Sequence, residues 1–139
     1  RLAGSVLFQG PLARDVMAHR DLQVVVDNTK WAPTQYMGLV AGTVEQLGLG
    51  FRPFPRVWES PERFQILGFH GKATAILRSL PRVRVGRPVS EDTALNTLAS
   101  SCQIKTGSDA FRYQLDGDLF ATSTPVELCS GPVVSILRY

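Results

Sequence analysis

With 139 residues the chain is long enough for one domain with a real core, burying about two-thirds of the surface its unfolded form exposes. Its apolar share of 44% against 19% charged residues is that of an ordinary globular domain, and no apolar run approaches the roughly 20 residues of a membrane span. A net charge of +3, carried mainly by arginine (12 of the 15 basic side chains), is too small a surplus to imply a nucleic-acid partner, although arginine suits phosphate and carboxylate contacts.

The opening residues lack a continuous apolar core ahead of a small-residue cleavage site, so no secretory leader is expected. Residues 1–20 read as two helical pieces broken at Gly10-Pro11, with Pro11 fitting the first turn of the second piece. Leu22 to Asp27 is a β-branched strand and Asn28 to Pro33 a loop. Gln35 to Glu45 reads as a second strand passing through Gly38 and Gly42. Leu47-Gly48-Leu49-Gly50-Phe51 alternates bulk with glycine, the pattern of a strand whose bare face lets a ligand or another backbone come close. Gly48-x-Gly50 lacks the third glycine and the following helix of a dinucleotide loop.

Two prolines keep Arg52-Pro53-Phe54-Pro55-Arg56-Val57-Trp58 out of any central strand. This connection suits either a loop whose aromatics cap the core or a surface touching lipid headgroups, with arginine on phosphate and Trp58 at the interface. Gly48, Gly50, Phe51, Arg52 and Trp58 are therefore the candidate substrate-contacting residues.

Glu62 to Phe69 is a further strand. Ala73, Ile76, Leu77 and Leu80 then recur at the spacing of one helix face, and Pro81 is expected to stop that helix. Arg82 to Val85 returns to strand period, and the polar stretch from Gly86 to Thr97 reads as a mobile loop. Leu98 to Lys105 is a strand, followed by a turn at Thr106-Gly107-Ser108-Asp109. Strands around Val126-Glu127-Leu128 and from Val133 to Leu137 close the chain, separated by a turn at Ser130-Gly131-Pro132. The two cysteines, Cys102 and Cys129, lack Cys-x-x-Cys spacing and are expected as buried thiols rather than a disulfide. His19 and His70 lie far apart and away from either cysteine, which argues against zinc.

Between these elements lies the most informative stretch, Phe111-Arg112-Tyr113-Gln114-Leu115-Asp116-Gly117-Asp118-Leu119-Phe120. Phe111, Tyr113 and Leu115 alternate with polar residues, and Asp116-Gly117 supplies the positive φ angles of a two-residue type I′ turn. The reading is a β-hairpin with two carboxylates, Asp116 and Asp118, at its tip. The alternative is that Asp116 is only a turn former and Asp118 only a solvated edge charge. About eight or nine short strands with one internal helix describe a mainly-β fold, an antiparallel β-sandwich with one or two short helices, in one domain spanning 1–139.

The order of elements resembles the C-terminal half of the diacylglycerol kinase and sphingosine kinase family of lipid kinases. The likeness runs from the helical lead-in and the strand ending Val24-Val25-Val26-Asp27, through the glycine-containing strands at Gly48 and Gly50 and the strand-then-helix Phe64 to Leu80. It continues to Tyr113-Gln114-Leu115-Asp116-Gly117-Asp118 and Gly131-Pro132. It implies a lipid-substrate domain whose parent enzyme transfers a phosphoryl group from ATP, with Mg²⁺, to a lipid hydroxyl. By this likeness Asp116 would be the base and Asp118 its support; the family commonly has Glu at the second position. The Asp-Gly pair that the family carries before its next strand is missing at Trp58-Glu59-Ser60-Pro61, so no metal site is carried over.

The family's nucleotide-binding half, with its Gly-Gly-Asp-Gly-Thr loop, is not in the chain. The expected cofactors, ATP and Mg²⁺, thus belong to an intact kinase and neither is expected to bind this chain alone. The expected partners are a lipid substrate, a membrane surface and, for a fragment, an N-terminal nucleotide-binding domain. The expected location is cytoplasmic, at most peripheral to the membrane. The competing reading is a non-catalytic lipid- or partner-binding β-sandwich in which the hairpin is structural.

Overall fold

The structure, a computed structural model, describes residues 18–107, 110–135 and 137. The helical pieces expected in residues 1–20 fall almost wholly outside these; Ala18 and His19 are not helical, and Arg20 already opens the first strand. The elements are β1 (Arg20–Val26), β2 (Thr29–Lys30), β3 (Gln35–Tyr36), β4 (Gly38–Gly42), β5 (Phe64–Phe69), α1 (Ala73–Arg84), β6 (Ala94–Ala99), β7 (Ser101–Thr106), β8 (Phe111–Leu115), β9 (Asp118–Thr122) and β10 (Val126–Cys129). All pairings among them are antiparallel.

One sheet runs β10-β7-β1-β2 with β3 also on β1, a second runs β4-β5-β6, and β8-β9 is a separate hairpin. Between the first two lies the main core. Val24 and Val26 of β1, Tyr36 of β3, and Cys102 and Ile104 of β7 meet Phe64 and Ile66 of β5 and Ala99 of β6. Alternation along β1 and β7 sends every second side chain into that layer, and the polar neighbours Gln23, Lys105 and Glu127 stay outside. This is the antiparallel β-sandwich with one well-formed helix that the sequence predicts.

The strand β5 is buried on both faces. Phe64 and Ile66 face the main core, while Leu67 joins a second cluster with Phe54 and Val57. The segment between β4 and β5 covers that outer face. Gln65, fully buried, holds the cover in place: its Oε1 accepts from the Arg56 backbone N–H at 2.8 Å, and its Nε2 donates to Asn96 Oδ1 at 2.8 Å. A buried amide satisfied on both ends stabilises, where an unsatisfied one would cost about 1–3 kcal/mol. Close approach also matters at Gly42, because the Phe54 ring occupies the space any Cβ would need.

Two predicted strands are each divided between the sheets. Gln35 to Glu45 bends at Met37: Tyr36 pairs with Arg20 in the larger sheet, whereas Gly38 pairs with Phe69 in the smaller. The strand ends at Gly42, short of Glu45. Likewise the strand expected from Leu98 to Lys105 breaks at Ser100. Its first part, β6, begins four residues earlier, at Ala94, inside the stretch expected to be a loop. Val26 is followed by Asp27 (φ 45°) and Asn28 (φ 65°), and Val26 pairs with Thr29. That is a two-residue hairpin turn where only a loop is expected, with the adjacent Asp and Asn tolerating positive φ.

Other expectations are corrected. Leu47 to Phe51 is not a strand: Gly48–Gly50 forms a 3₁₀ turn with Leu49 at φ 62°, closed by Leu47 N–H donating to Phe51 O at 2.8 Å. The helix does not stop at Pro81 but runs through it to Arg84, burying Ile76, Ser79 and Val83. Proline removes one in-helix hydrogen bond, and the buried Val83 together with the Arg52 N–H bond to Val83 O (3.2 Å) retains the last turn. The true stop is Gly86 at φ 71°. Its N–H donates to Val83 O and the Arg87 N–H to Arg82 O, a Schellman termination, so Arg82 to Val85 is helix end and not strand.

Val133 to Leu137 forms no strand at any described position, and no sheet edge pairs with it; Ile136 lies outside the described residues, as do Ser108 and Asp109 of the expected turn after Thr106. Both cysteines are free; Cys102 is buried as expected, whereas Cys129 is exposed. Among the described residues no helix is long and apolar enough to cross a membrane.

Candidate functional site

The hairpin forms as its sequence predicts. Phe111 to Leu115 pairs with Asp118 to Thr122, leaving Asp116 (φ 50°) and Gly117 (φ 98°) as the two turn residues. Both angles are left-handed, the type I′ geometry that suits the right-handed twist of the flanking strands. The Gln114 side chain donates from Nε2 to Gly117 O at 3.2 Å and braces the turn. On one face, Tyr113 stacks on its cross-strand partner Phe120 with ring centroids 5.4 Å apart, and Phe111 lies 6.3 Å from Tyr113. Phe111 also packs on the main core and so roots the hairpin.

A two-stranded ribbon standing beside the sandwich leaves room between them. The space is a cleft of about 1080 Å³, walled by β4 from Gly38 to Ala41 on one side and by β8 on the other. Leu22, Tyr36, Ile104, Leu47 and Phe54 contribute to its floor and ends. It opens beside β4 because, among the described residues, β4 is the outer strand of its sheet, bonded only to β5. The lining is mostly apolar, with Arg20, Arg112 and Asp116 as its charged members.

The structure separates the residues that the sequence groups. Asp116 lines the cleft, and it is the one carboxylate that does among the described residues; Asp118 does not line it. Asp118 is the first residue of β9 and pairs across the hairpin with Leu115, so Asp116 sits in the turn and Asp118 on the strand that follows it, instead of two apart on one strand. Both are exposed. No group of three His, Cys, Asp or Glu side chains gathers into a metal site among the described residues, so the hairpin tip does not make one by itself.

Gly48, Gly50, Phe51, Arg52 and Trp58 do not line the cleft; they form a separate projection near the C-terminal end of α1. There Glu45 accepts a hydrogen bond from Trp58 Nε1 at 3.0 Å and forms an ion pair with Arg52 at 3.7 Å. Arg56 holds Glu59 in a forked pair, with N···O distances of 3.0–3.2 Å. The hydrogen bond to Glu59 keeps the Arg56 guanidinium protonated to higher pH than usual, and the same contact lowers the Glu59 carboxyl.

Sequence reasoning missed the cleft walls. Leu22, Leu39, Val40 and Ile104 look like ordinary alternating strand residues, and Arg112 like a solvated charge on the hairpin's polar side. The available signal was the hairpin itself: a ribbon that pairs with no other strand has to stand against something.

No protein-family model matches this sequence, and no curated protein matches it. Among solved structures, one similar chain is a protein from Bacillus anthracis str. Sterne assigned as a diacylglycerol kinase, with TM-score 0.59 and 15% identity over 82% of this chain. A second, a diacylglycerol kinase from the same strain, has TM-score 0.56 and 17% identity over 86% of this chain. Identities this low show a shared fold. The chain spans 42% and 46% of those two proteins respectively.

Proposed function

We propose that this chain is the lipid-substrate portion of a diacylglycerol kinase-like enzyme, with the cleft between β4 and the hairpin holding the lipid and Asp116 receiving the proton of its hydroxyl. The observation that carries the reading is the position of Asp116, the single acidic side chain among the described residues on the wall of a large, mostly apolar cleft, in a fold similar to part of two diacylglycerol kinases. At about 1080 Å³ the space lies at the upper end of the roughly 300–1,000 Å³ of small-molecule pockets, a size suited to acyl chains.

Phosphoryl transfer asks little covalent chemistry of a protein; it depends on positioning and charge neutralisation, with a carboxylate placed to accept the hydroxyl proton. In this chain the apolar walls would orient the lipid, Asp116 would hold the transferred proton at a carboxylate oxygen, and Arg20 and Arg112 would offset charge at the rim. ATP and Mg²⁺ would supply the phosphoryl group and its neutralisation, held by the nucleotide-binding half of a longer protein of which this chain would be a part. Asp118 is outside the lining and would act on Asp116 only through the shared hairpin tip.

The test is lipid kinase turnover by the longer protein with Asp116→Asn. Asparagine adopts positive φ at least as readily as aspartate, so the turn persists while the base is lost. The rate should fall about 10²–10⁴-fold with little change in thermal midpoint. Unchanged turnover would take the base role from Asp116 and leave the hairpin a structural element, whereas no turnover by the unaltered protein would favour a non-catalytic lipid-binding module.

A further inference from the structure

Leu49 is the most conspicuous side chain that the fold does not use. It is 90% exposed and sits at φ 62°, a conformation that strains a non-glycine residue and is rare outside Gly, Asn and Asp. The turn that carries it is closed and ordered by the Leu47–Phe51 hydrogen bond. An apolar side chain is thus held out into solvent by a backbone that glycine or asparagine would serve better. Trp58, 74% exposed, belongs to the same segment between β4 and β5, its indole N–H fixed by Glu45. Val44, Leu47 and Val85 are exposed as well.

Charge gathers at the same place. The segment from Glu45 to Glu59 joins the end of α1 through the Arg52–Val83 backbone hydrogen bond. Between them, this segment and Arg82 to Arg87 carry five arginines and two glutamates, a surplus of three that equals the formal +3 of the whole chain. The rest of the molecule is therefore neutral on balance. Exposed leucine, valine and tryptophan in the same two segments as these arginines match an interface that is apolar below and anionic above, as at the headgroup level of a bilayer.

We infer that the projection formed by Leu49, Trp58 and the arginines of residues 52–56 and 82–87 docks on an anionic lipid surface, inserting Leu49 and the Trp58 ring among the headgroups. Leu47 belongs to both places: it lines the cleft and stands two residues from Leu49. Docking would therefore set one end of the cleft against the bilayer. The inference does not depend on what the cleft binds, because vesicle binding needs only the outer projection.

The experiment is co-sedimentation of the 139-residue chain with phosphatidylcholine vesicles, with and without about 30 mol% phosphatidylglycerol. In parallel, Trp58 emission is followed in a Trp31→Phe background. Saturable binding is expected with the anionic vesicles alone, with a blue-shifted Trp58 and a loss of affinity as salt shortens the screening length. Leu49→Asn should weaken binding about tenfold, the loss of roughly one leucine's transfer into an apolar phase. It should not disturb folding, since asparagine suits the positive φ, and an unchanged thermal midpoint checks this. Arg84→Ser and Arg87→Ser should each weaken binding roughly fivefold. Failure to bind anionic vesicles, or binding indifferent to Leu49→Asn and to both arginine changes, would overturn the inference and assign the projection to a protein partner.

Discussion

Asp27 joins the two sheets, and replacing it tests whether that junction is a main source of stability. Its Oδ1 accepts from the backbone N–H groups of Ser100 and Ser101, at 2.9 and 2.8 Å, and from Ser101 Oγ at 3.4 Å. Ser100 is the point at which the chain leaves β6 in one sheet for β7 in the other. Asp27→Ala removes both short bonds, each contributing about 0.5–1.5 kcal/mol net. It also places alanine at φ 45°, which costs about 1 kcal/mol more. The expected loss is about 2–4 kcal/mol.

Asp27→Asn keeps an acceptor oxygen and tolerates the backbone angle, so it should lose about 1 kcal/mol or less, mainly the charge assistance. For a chain of this size each kcal/mol moves the thermal midpoint by about 3–5 °C. Partial burial works to raise the Asp27 carboxyl pKa, but the two Ser amides and the charge of Arg63 outweigh it and hold the pKa below its ordinary value of 3.8. A lowered folded-state pKa contributes stability that is present above the unfolded value and lost as pH falls through the folded one. The advantage of aspartate over asparagine should therefore be constant from pH 5 to 8 and shrink below about pH 4. Thermal melts of the three proteins across that range check it. Equal midpoints for the Ala and Asn variants, or an Asp–Asn difference that persists at pH 2, would refute the junction's role.

Tyr36 is buried with a hydroxyl that has no hydrogen-bond partner among the described residues, and burial, with a smaller effect of Cys102, pushes its pKa up to about 12. Tyr36→Phe should thus leave stability unchanged or raise it by about 1 kcal/mol, as read from denaturant midpoints. Gly117→Val places a β-branched residue at φ 98° and should destabilise the hairpin by about 1–3 kcal/mol, visible as faster amide exchange in β8 and β9 than in β5. Burial raises the Cys102 thiol to about 11 while Cys129 is exposed, so a thiol reagent at pH 8 should modify Cys129 quickly and Cys102 only on unfolding.

Local pattern alone determined much of this protein. The Asp116-Gly117 hairpin, the strands β1 and β5, the helix beginning at Ala73 and the mainly-β class all follow from period and turn chemistry, because each needs only neighbours a few residues away. Part of what was misread was also local: Gly86, not Pro81, carries the helix-ending chemistry, and Asp27-Asn28 carries a hairpin turn. The sheet changes at Met37 and Ser100 are of another kind. Alternation continues across both bends, so the sequence reads one strand where the fold makes two, and only the partner edges and the core between the sheets decide the break. The cleft is more tertiary still. Its walls are unremarkable strand residues until the hairpin, which pairs with no other described strand, stands off from β4 and leaves Asp116 on its wall. The exposed Leu49 likewise becomes visible only once the turn gives it a positive φ and the packed core leaves it outside.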